Sequence, residues 1–163
     1  MISSKYDWQF ATNFTDEKFL KKAKKAGLEP TAASLLYQRG VQTEEALQEF
    51  LEPSLDQLHD PYDLHDMERA VERIRTAIEN YEQILIYGDY DADGMTSASI
   101  VKEALEQLGA ECQVYLPNRF TDGYGPNSSV YKYFIENQGI SLIITVDNGV
   151  AGFEAIELAH SLG

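Results

Sequence analysis

Between Ile84 and Thr96 the chain reads ILIYGDYDADGMT, in which Asp89, Asp91 and Asp93 alternate over five residues and Gly94 follows. Three carboxylates in so short a span repel one another, and a fold accepts that mainly where a cation offsets the charge. The apolar run before them reads as a buried strand that stops in a loop. A second apolar run, SLIITVDNG over 141–149, ends in another aspartate, Asp147. These four acids are the candidates for chemistry.

Several chemistries use such a loop. D-x-D-x-D-G opens a calcium-binding loop, but that loop needs a glutamate six residues after its glycine, and Ile100 stands there. A strand running into Asp91-Ala92-Asp93-Gly94-Met95-Thr96, with a later strand ending at Thr145, resembles the first two motifs of haloacid-dehalogenase-type aspartyl phosphotransferases. In that reading Asp91 is the nucleophile and Asp93 the general acid, and Asp89 has no task. In a third reading, carboxylates from two strand ends hold two divalent ions roughly 3.5–4 Å apart, as in metal-dependent phosphoesterases. Asp91, Asp93 and Asp147 are then ligands, and Asp89 is a further ligand or orients the attacking water. A cluster that only caps and turns the chain explains neither the triplet nor Asp147.

The elements that must position these acids follow from periodicity. Met67, Ala70, Val71, Ile74, Ala77, Ile78 and Tyr81 fall at helical spacing, so a helix of about four turns leads in. Strands are expected over Ile84–Gly88, Glu111–Leu116 and 141–146. Helices are expected after the Asp loop up to Gly109, over Ser128–Gln138 and over Gly152–Leu162. That is a doubly wound α/β fold with a parallel sheet covered on both faces. In the strand order 2-1-3 the first and third strands are neighbours, and ligands bind in the crevice at their carboxyl ends. The Asp triplet and Asp147, about 55 residues apart in sequence, then converge.

Upstream, residues 1–65 read as a small helical segment and 66–163 as the α/β domain. Thr15 is the expected cap of a helix over Asp16–Ala26, Pro30 opens a second that stops at Gly40, and Thr43 starts a third that ends at Pro53. The stretch LHDPYDLHD over 58–66 holds two histidines and three acids, but its spacing matches no standard ligand pattern and it reads as a turn-rich linker.

Composition narrows the class. At 163 residues and 44% hydrophobic the chain can bury a core of ordinary size, and no apolar run approaches the roughly 18–20 residues of a membrane span. The start, MISSKYDWQF, lacks the apolar core of a signal peptide. The single cysteine, Cys112, has no partner in the chain, which points to a reducing, cytoplasmic setting. The net charge of −14 is uneven: residues 1–26 carry six Lys and Arg against three Asp and Glu, and residues 27–163 carry seven against 24. Such an acidic surface does not grip nucleic acid by itself. The lysines 18, 21, 22, 24 and 25 form its one basic cluster and read as the solvated face of a helix.

IYGDYDADGMTSA, YLPNRFTDGYGPN and ITVDNG together resemble the first motifs and connecting loop of the DHH phosphoesterase superfamily, and its single-strand-specific exonuclease branch in particular. LLYQRGVQTEEALQEFLEPS and DPYDLHDMERAVERIRTAI extend the likeness, so it covers most of residues 28–150. The resemblance implies a manganese- or magnesium-dependent enzyme that degrades single-stranded DNA from its 5′ end in recombination and repair. Its implied protein partners are a single-strand-binding protein and a repair helicase. Asp89, Asp91, Asp93 and Asp147 correspond to the family's motif aspartates, both as metal ligands and as catalytic residues.

The Asp-His-His motif that names the family does not occur in these residues, and His59, His65 and His160 fit none of its roles. The resemblance therefore implies an N-terminal piece of a longer protein, with an incomplete two-metal site and little nuclease activity alone. Other phosphoesterases of the superfamily, acting on short oligonucleotides or cyclic dinucleotides, and non-catalytic scaffolds that have lost metal ligands are the alternatives. Three more residues are candidates for substrate contact. Arg119 can reach a phosphate or pair with Asp122. Tyr124, between Gly123 and Gly125, can stack on a base or anchor its loop. Thr96, with Ser97, is expected to cap the helix after the Asp loop, whose N-terminus favours an anion.

Overall fold

The computed structural model describes residues 16–163. Thr15 lies outside the described residues. The chain divides into two compact units between Asp60 and Pro61.

In the first unit, α1 (Glu17–Lys25), α2 (Pro30–Gln38) and α3 (Glu44–Leu51) pack around Phe19, Ala23, Ala33 and Leu47. Each helix is short, so packing and caps rather than propensity hold it. Asp16 Oδ1 accepts from the amides of Lys18 and Phe19 at 2.8 and 3.2 Å, and Thr43 Oγ1 accepts from the Ala46 amide at 3.1 Å. The Phe19 and Tyr37 rings meet edge to face at 5.1 Å. Lys22 pairs with Glu44 at 2.8 Å on the exposed surface, where such a pair adds little.

The second unit runs α4 (Met67–Glu79), β1 (Gln83–Tyr87), α5 (Ala92–Gln107), β2 (Cys112–Tyr115), α6 (Ser128–Gln138), β3 (Ile140–Thr145) and α7 (Phe153–Leu162). The three strands are parallel in the order β2-β1-β3, with Tyr87 in register with both Tyr115 and Thr145. Parallel neighbours need long crossovers, and α5 and α6 supply them. Period two divides the central strand between two cores. Ile84 and Ile86 pack with Ala77 of α4 and with Ala98 and Leu105 of α5. Leu85 and Tyr87 pack with Tyr131 and Phe134 of α6 and Ala155 of α7. This is the expected doubly wound α/β sheet. Residues 84–87 are fully buried while β2 and β3, at the edges, are only half covered.

One expected boundary moves. Thr96 and Ser97 do not cap the helix after the acids, because α5 begins at Ala92 with Asp91 as its cap: Asp91 Oδ1 accepts from the Gly94 amide at 3.0 Å. Thr96 sits in the second turn and donates its hydroxyl to the carbonyls of Ala92 and Asp93 at 2.8 and 3.1 Å. The first turn, Ala-Asp-Gly, carries no apolar periodicity and contains a glycine, so it hides a helix start. Gly94 is there for space: a Cβ on it would lie 2.4 Å from the Asp89 carbonyl oxygen.

Candidate metal centre

β1 and β3 finish side by side, and the backbone beyond them keeps the two chains together. The Val146 amide donates to the Tyr87 carbonyl at 3.0 Å, and the Asn148 side-chain amide donates to the Val146 carbonyl at 3.0 Å. Asp89 therefore leaves one strand end and Asp147 its neighbour. Carboxylate oxygens of Asp89, Asp91 and Asp147 all lie within 4.8 Å of one another.

The three differ in setting. Asp89 is 3% exposed and accepts from the Tyr90 amide at 2.7 Å. Asp91 is exposed, and the helix cap orients it. Asp147 is exposed and held at φ 59°, in the left-handed region that Asp tolerates better than most residues. Its carboxyl is pushed above the usual range by partial desolvation, then by the charges of Asp91, Asp93 and Asp89. Asp93, in the first turn of α5, is exposed and adds to that field without joining the three. Among the described residues no ion pair reaches any of the four.

The loop 117–127 stands beside this cluster and is organised by Asp122. Its Oδ2 accepts from the Asn118 amide at 2.7 Å and the Tyr115 hydroxyl at 2.8 Å, and its Oδ1 from the Thr121 hydroxyl at 3.0 Å. Those donors hold the Asp122 carboxyl below the usual range. Burial, together with the bond to Asp122, lifts the Tyr115 phenol to about 12. The buried Tyr87 hydroxyl donates to the Gly125 carbonyl at 3.0 Å and ties the loop to the end of β1. Asp122 is thus occupied, and the Arg119 guanidinium lies instead over the Tyr90 ring, 5.5 Å from its centroid. Tyr124 does not anchor the loop: it is 76% exposed, while Gly125 takes the bond from Tyr87.

Arg119 thereby sits against the residue between Asp89 and Asp91, and Tyr124 lines the same crevice as Asp147. Of the linker histidines, His65 pairs with Asp66 at 3.2 Å on the surface. The organising roles of Tyr87, Tyr115 and Asp122 escaped sequence reasoning. Tyr87 carried one usable signal, a hydroxyl at the end of an otherwise apolar strand.

Residues 83–163 match the DHH family, N-terminal domain. The chain belongs to the DHH family. Over all 163 residues it is 40% identical to the single-stranded-DNA-specific exonuclease RecJ of Bacillus subtilis (strain 168), and it spans 20% of that relative's length. A crystal structure of exonuclease RecJ bound to manganese aligns with 60% of this chain and 25% of its own, at 31% identity and a TM-score of 0.53. The structure of RecJ in complex with Mn2+ from Thermus thermophilus covers 88% of this chain and 19% of its own, at 24% identity and a TM-score of 0.54, and shares the fold. The carboxylate cluster of this DHH-family domain thus lies at the carboxyl edge of its sheet, where doubly wound folds bind ligands. Among the described residues no helix is long and apolar enough to cross a membrane.

Proposed function

We propose that this DHH-family chain is part of a divalent-metal-dependent exonuclease that degrades single-stranded DNA from the 5′ end in recombination and repair. The observation that carries the reading is the carboxylate cluster of Asp89, Asp91 and Asp147, which two adjacent strand ends bring within 4.8 Å of one another. Hard oxygen donors of this kind fit Mn2+ or Mg2+. Asp89, Asp91 and Asp147 would hold the ion, with Asp93 beside them adding negative charge or a further ligand. Bound there, a divalent ion lowers the pKa of a water and offsets charge on phosphate oxygens.

The chain's own residues do the rest. The cap bond to the Gly94 amide keeps the Asp91 carboxylate turned toward its neighbours, and the buried position of Asp89 fixes the second acid. Arg119, seated on Tyr90, offers a guanidinium to a phosphate at the crevice mouth. Tyr124 offers a ring to a base. Thr96 is left out, since its hydroxyl proton is used within α5. A single-strand-binding protein and a repair helicase are the proposed protein partners, and the unpaired Cys112 agrees with a cytoplasmic setting.

Calorimetric titration of the 163-residue chain with Mn2+ tests the metal assignment. Binding is expected, and Asp91→Ala or Asp147→Asn should abolish it; unchanged binding in both variants would remove the site. For the activity, a chain of the relatives' full length should release nucleotides from single strands in Mn2+ and lose this with Asp91→Ala. Release from the 3′ end alone would refute the stated polarity.

A further inference from the structure

Asp147, the acid that follows the third strand, sits in a turn that closes on itself. Its neighbour on one side, Val146, donates its amide to the Tyr87 carbonyl at 3.0 Å. Its neighbour on the other side, Asn148, turns its side chain back: Nδ2 donates to the Val146 carbonyl at 3.0 Å and reaches the Tyr87 carbonyl at 3.5 Å. Two carbonyls within reach settle which end of that amide is the nitrogen. Gly149, at φ 111°, then folds onto Thr145, where a Cβ would lie 2.5 Å from the hydroxyl oxygen. Between these ties Asp147 is held at φ 59°. A left-handed residue with a side chain persists where its surroundings over-determine it.

The arrangement is not the most stable one open to a turn. With its nitrogen given to carbonyls, Asn148 leaves Oδ1 buried and without a hydrogen-bond partner among the described residues. A serine or glycine would turn the chain without orphaning an oxygen. What the asparagine supplies in return is an amide gripping the ends of β1 and β3 together.

We infer that Asn148 is a positioning residue for the metal centre: its amide locks the two strand ends, so that Asp147 faces Asp89 and Asp91 at one separation and the centre favours Mn2+ or Mg2+ over Ca2+. This rests on the metal reading of the carboxylate cluster and adds what sets its geometry. Small divalent ions need oxygens near octahedral positions, whereas Ca2+ accepts more of them in looser arrangements. Fixed donors therefore matter most to the smaller ions.

Calorimetric titrations of the 163-residue chain with Mn2+ and with Ca2+ test this, using Asn148→Ala and Asn148→Asp. Both ions carry the same charge, so a changed field moves the two affinities together and only geometry moves their ratio. Asn148→Ala should weaken Mn2+ binding about tenfold or more and Ca2+ binding by less, which narrows the ratio. Asn148→Asp adds a charge that draws both ions in, yet its ratio should narrow in the same way, since the donor is gone. A second readout needs no metal. In chelator the Val146 amide of Asn148→Ala should exchange faster with solvent, while the Gly88 amide, bonded to Tyr115 on the other side of β1, keeps the parent rate. Asn148 belongs to neither hydrophobic core of the second unit, so unchanged helix amides in the spectrum can verify that each variant folds. A ratio at the parent value in both variants, or an unmoved Val146 rate, would overturn the role and leave the metal assignment standing. A parent that binds neither ion would overturn the two together.

Discussion

Asp122 and Asp147 stand at the same carboxyl edge of one sheet, in opposite surroundings. Asp122 is met by three donors, the Asn118 amide and the hydroxyls of Tyr115 and Thr121, and its carboxyl is held down. Asp147 is met by other acids, Asp91, Asp93 and Asp89, and its carboxyl is pushed up. Both lie in polar, glycine-containing turns, so local composition does not separate them. The partners do. A carboxylate supplied with donors is finished structure, whereas one surrounded by carboxylates is stable only once a cation arrives. The loop 117–127 is therefore scaffold carrying exposed side chains, and the turns after β1 and β3 are the proposed binding element.

The largest expected effect comes from closing the space on which the acidic turn depends. Gly94→Ala improves helix propensity by about 1 kcal/mol. Against that, the new methyl would fall within 2.6 Å of three backbone atoms of Asp89. Overpacking against backbone that cannot move aside costs about 3 kcal/mol or more, so the clash wins. Thermal unfolding should show the loss, and Mn2+ binding should weaken with it because Asp89 is displaced. A variant that melts like the parent would mean that the turn is looser than the Gly94 contact implies.

On the scaffold side, Tyr87→Phe should cost about 1–2 kcal/mol by leaving the Gly125 carbonyl without its buried donor. Tyr131→Phe is the matched control. Its hydroxyl is buried with no hydrogen-bond partner among the described residues, so removing it should be neutral or slightly stabilising. Equal melting temperatures for the two variants would show that the hydroxyl of Tyr87 does not hold the loop.

The course of the chain was legible in the sequence because period and topology are local or general rules. The run ILIY and the spacing of Ala98, Val101 and Leu105 reveal a strand and a helix, and the doubly wound order then brings Asp89 and Asp91 to Asp147. What escaped has a common cause. Tyr87 meets Gly125 across 38 residues, and Arg119 meets Tyr90 across the crevice, and no spacing encodes such pairs. The start of α5 escaped for the opposite reason: the residues that build it, Ala92, Asp93 and Gly94, were chosen by the site and its space rather than by helix propensity. Of the two alternatives for Arg119, pairing with Asp122 rests on charge and proximity in sequence, and the hydrogen-bond donors around Asp122 occupy that carboxylate instead.

Two smaller shifts, opposite in sign, follow from the paired aspartates. The folded Asp122 carboxyl titrates below its unfolded value, so its contribution is present above about pH 4 and is lost as the pH falls through the lower folded value. Asp122→Asn should therefore melt below the parent at neutral pH, with the difference vanishing in acid. Asp147 titrates above its unfolded value, so the unfolded chain loses its proton first and stability drops as the pH rises through that range. In metal-free buffer Asp147→Asn should melt above the parent at neutral pH, with that gain also vanishing in acid. Saturating Mn2+ should reverse the order, because the parent binds the ion and the variant does not. A parent more stable than Asp147→Asn in chelator would contradict the description of that turn as an uncompensated acid cluster.

The smallest effect concerns the contact between the two regions. Arg119 lies over Tyr90, so the scaffold loop touches the acidic turn through a guanidinium on a ring. Lysine keeps the charge but loses the flat stacking surface, so Arg119→Lys should cost about 0.5–1 kcal/mol. Because the site is exposed, a double-mutant cycle with Tyr90→Leu is the appropriate measure, and a coupling of about 0.5 kcal/mol is expected. The same cycle read by Mn2+ affinity distinguishes two roles for the contact. If the loop steadies the acids, the coupling appears in metal binding as well as in stability. If the contact only parks Arg119 for a phosphate, metal affinity stays constant through the cycle and the coupling appears in nucleotide binding instead. The geometry favours the second outcome, since Asp89 and Asp91 are already held by burial and by the helix cap without help from Arg119.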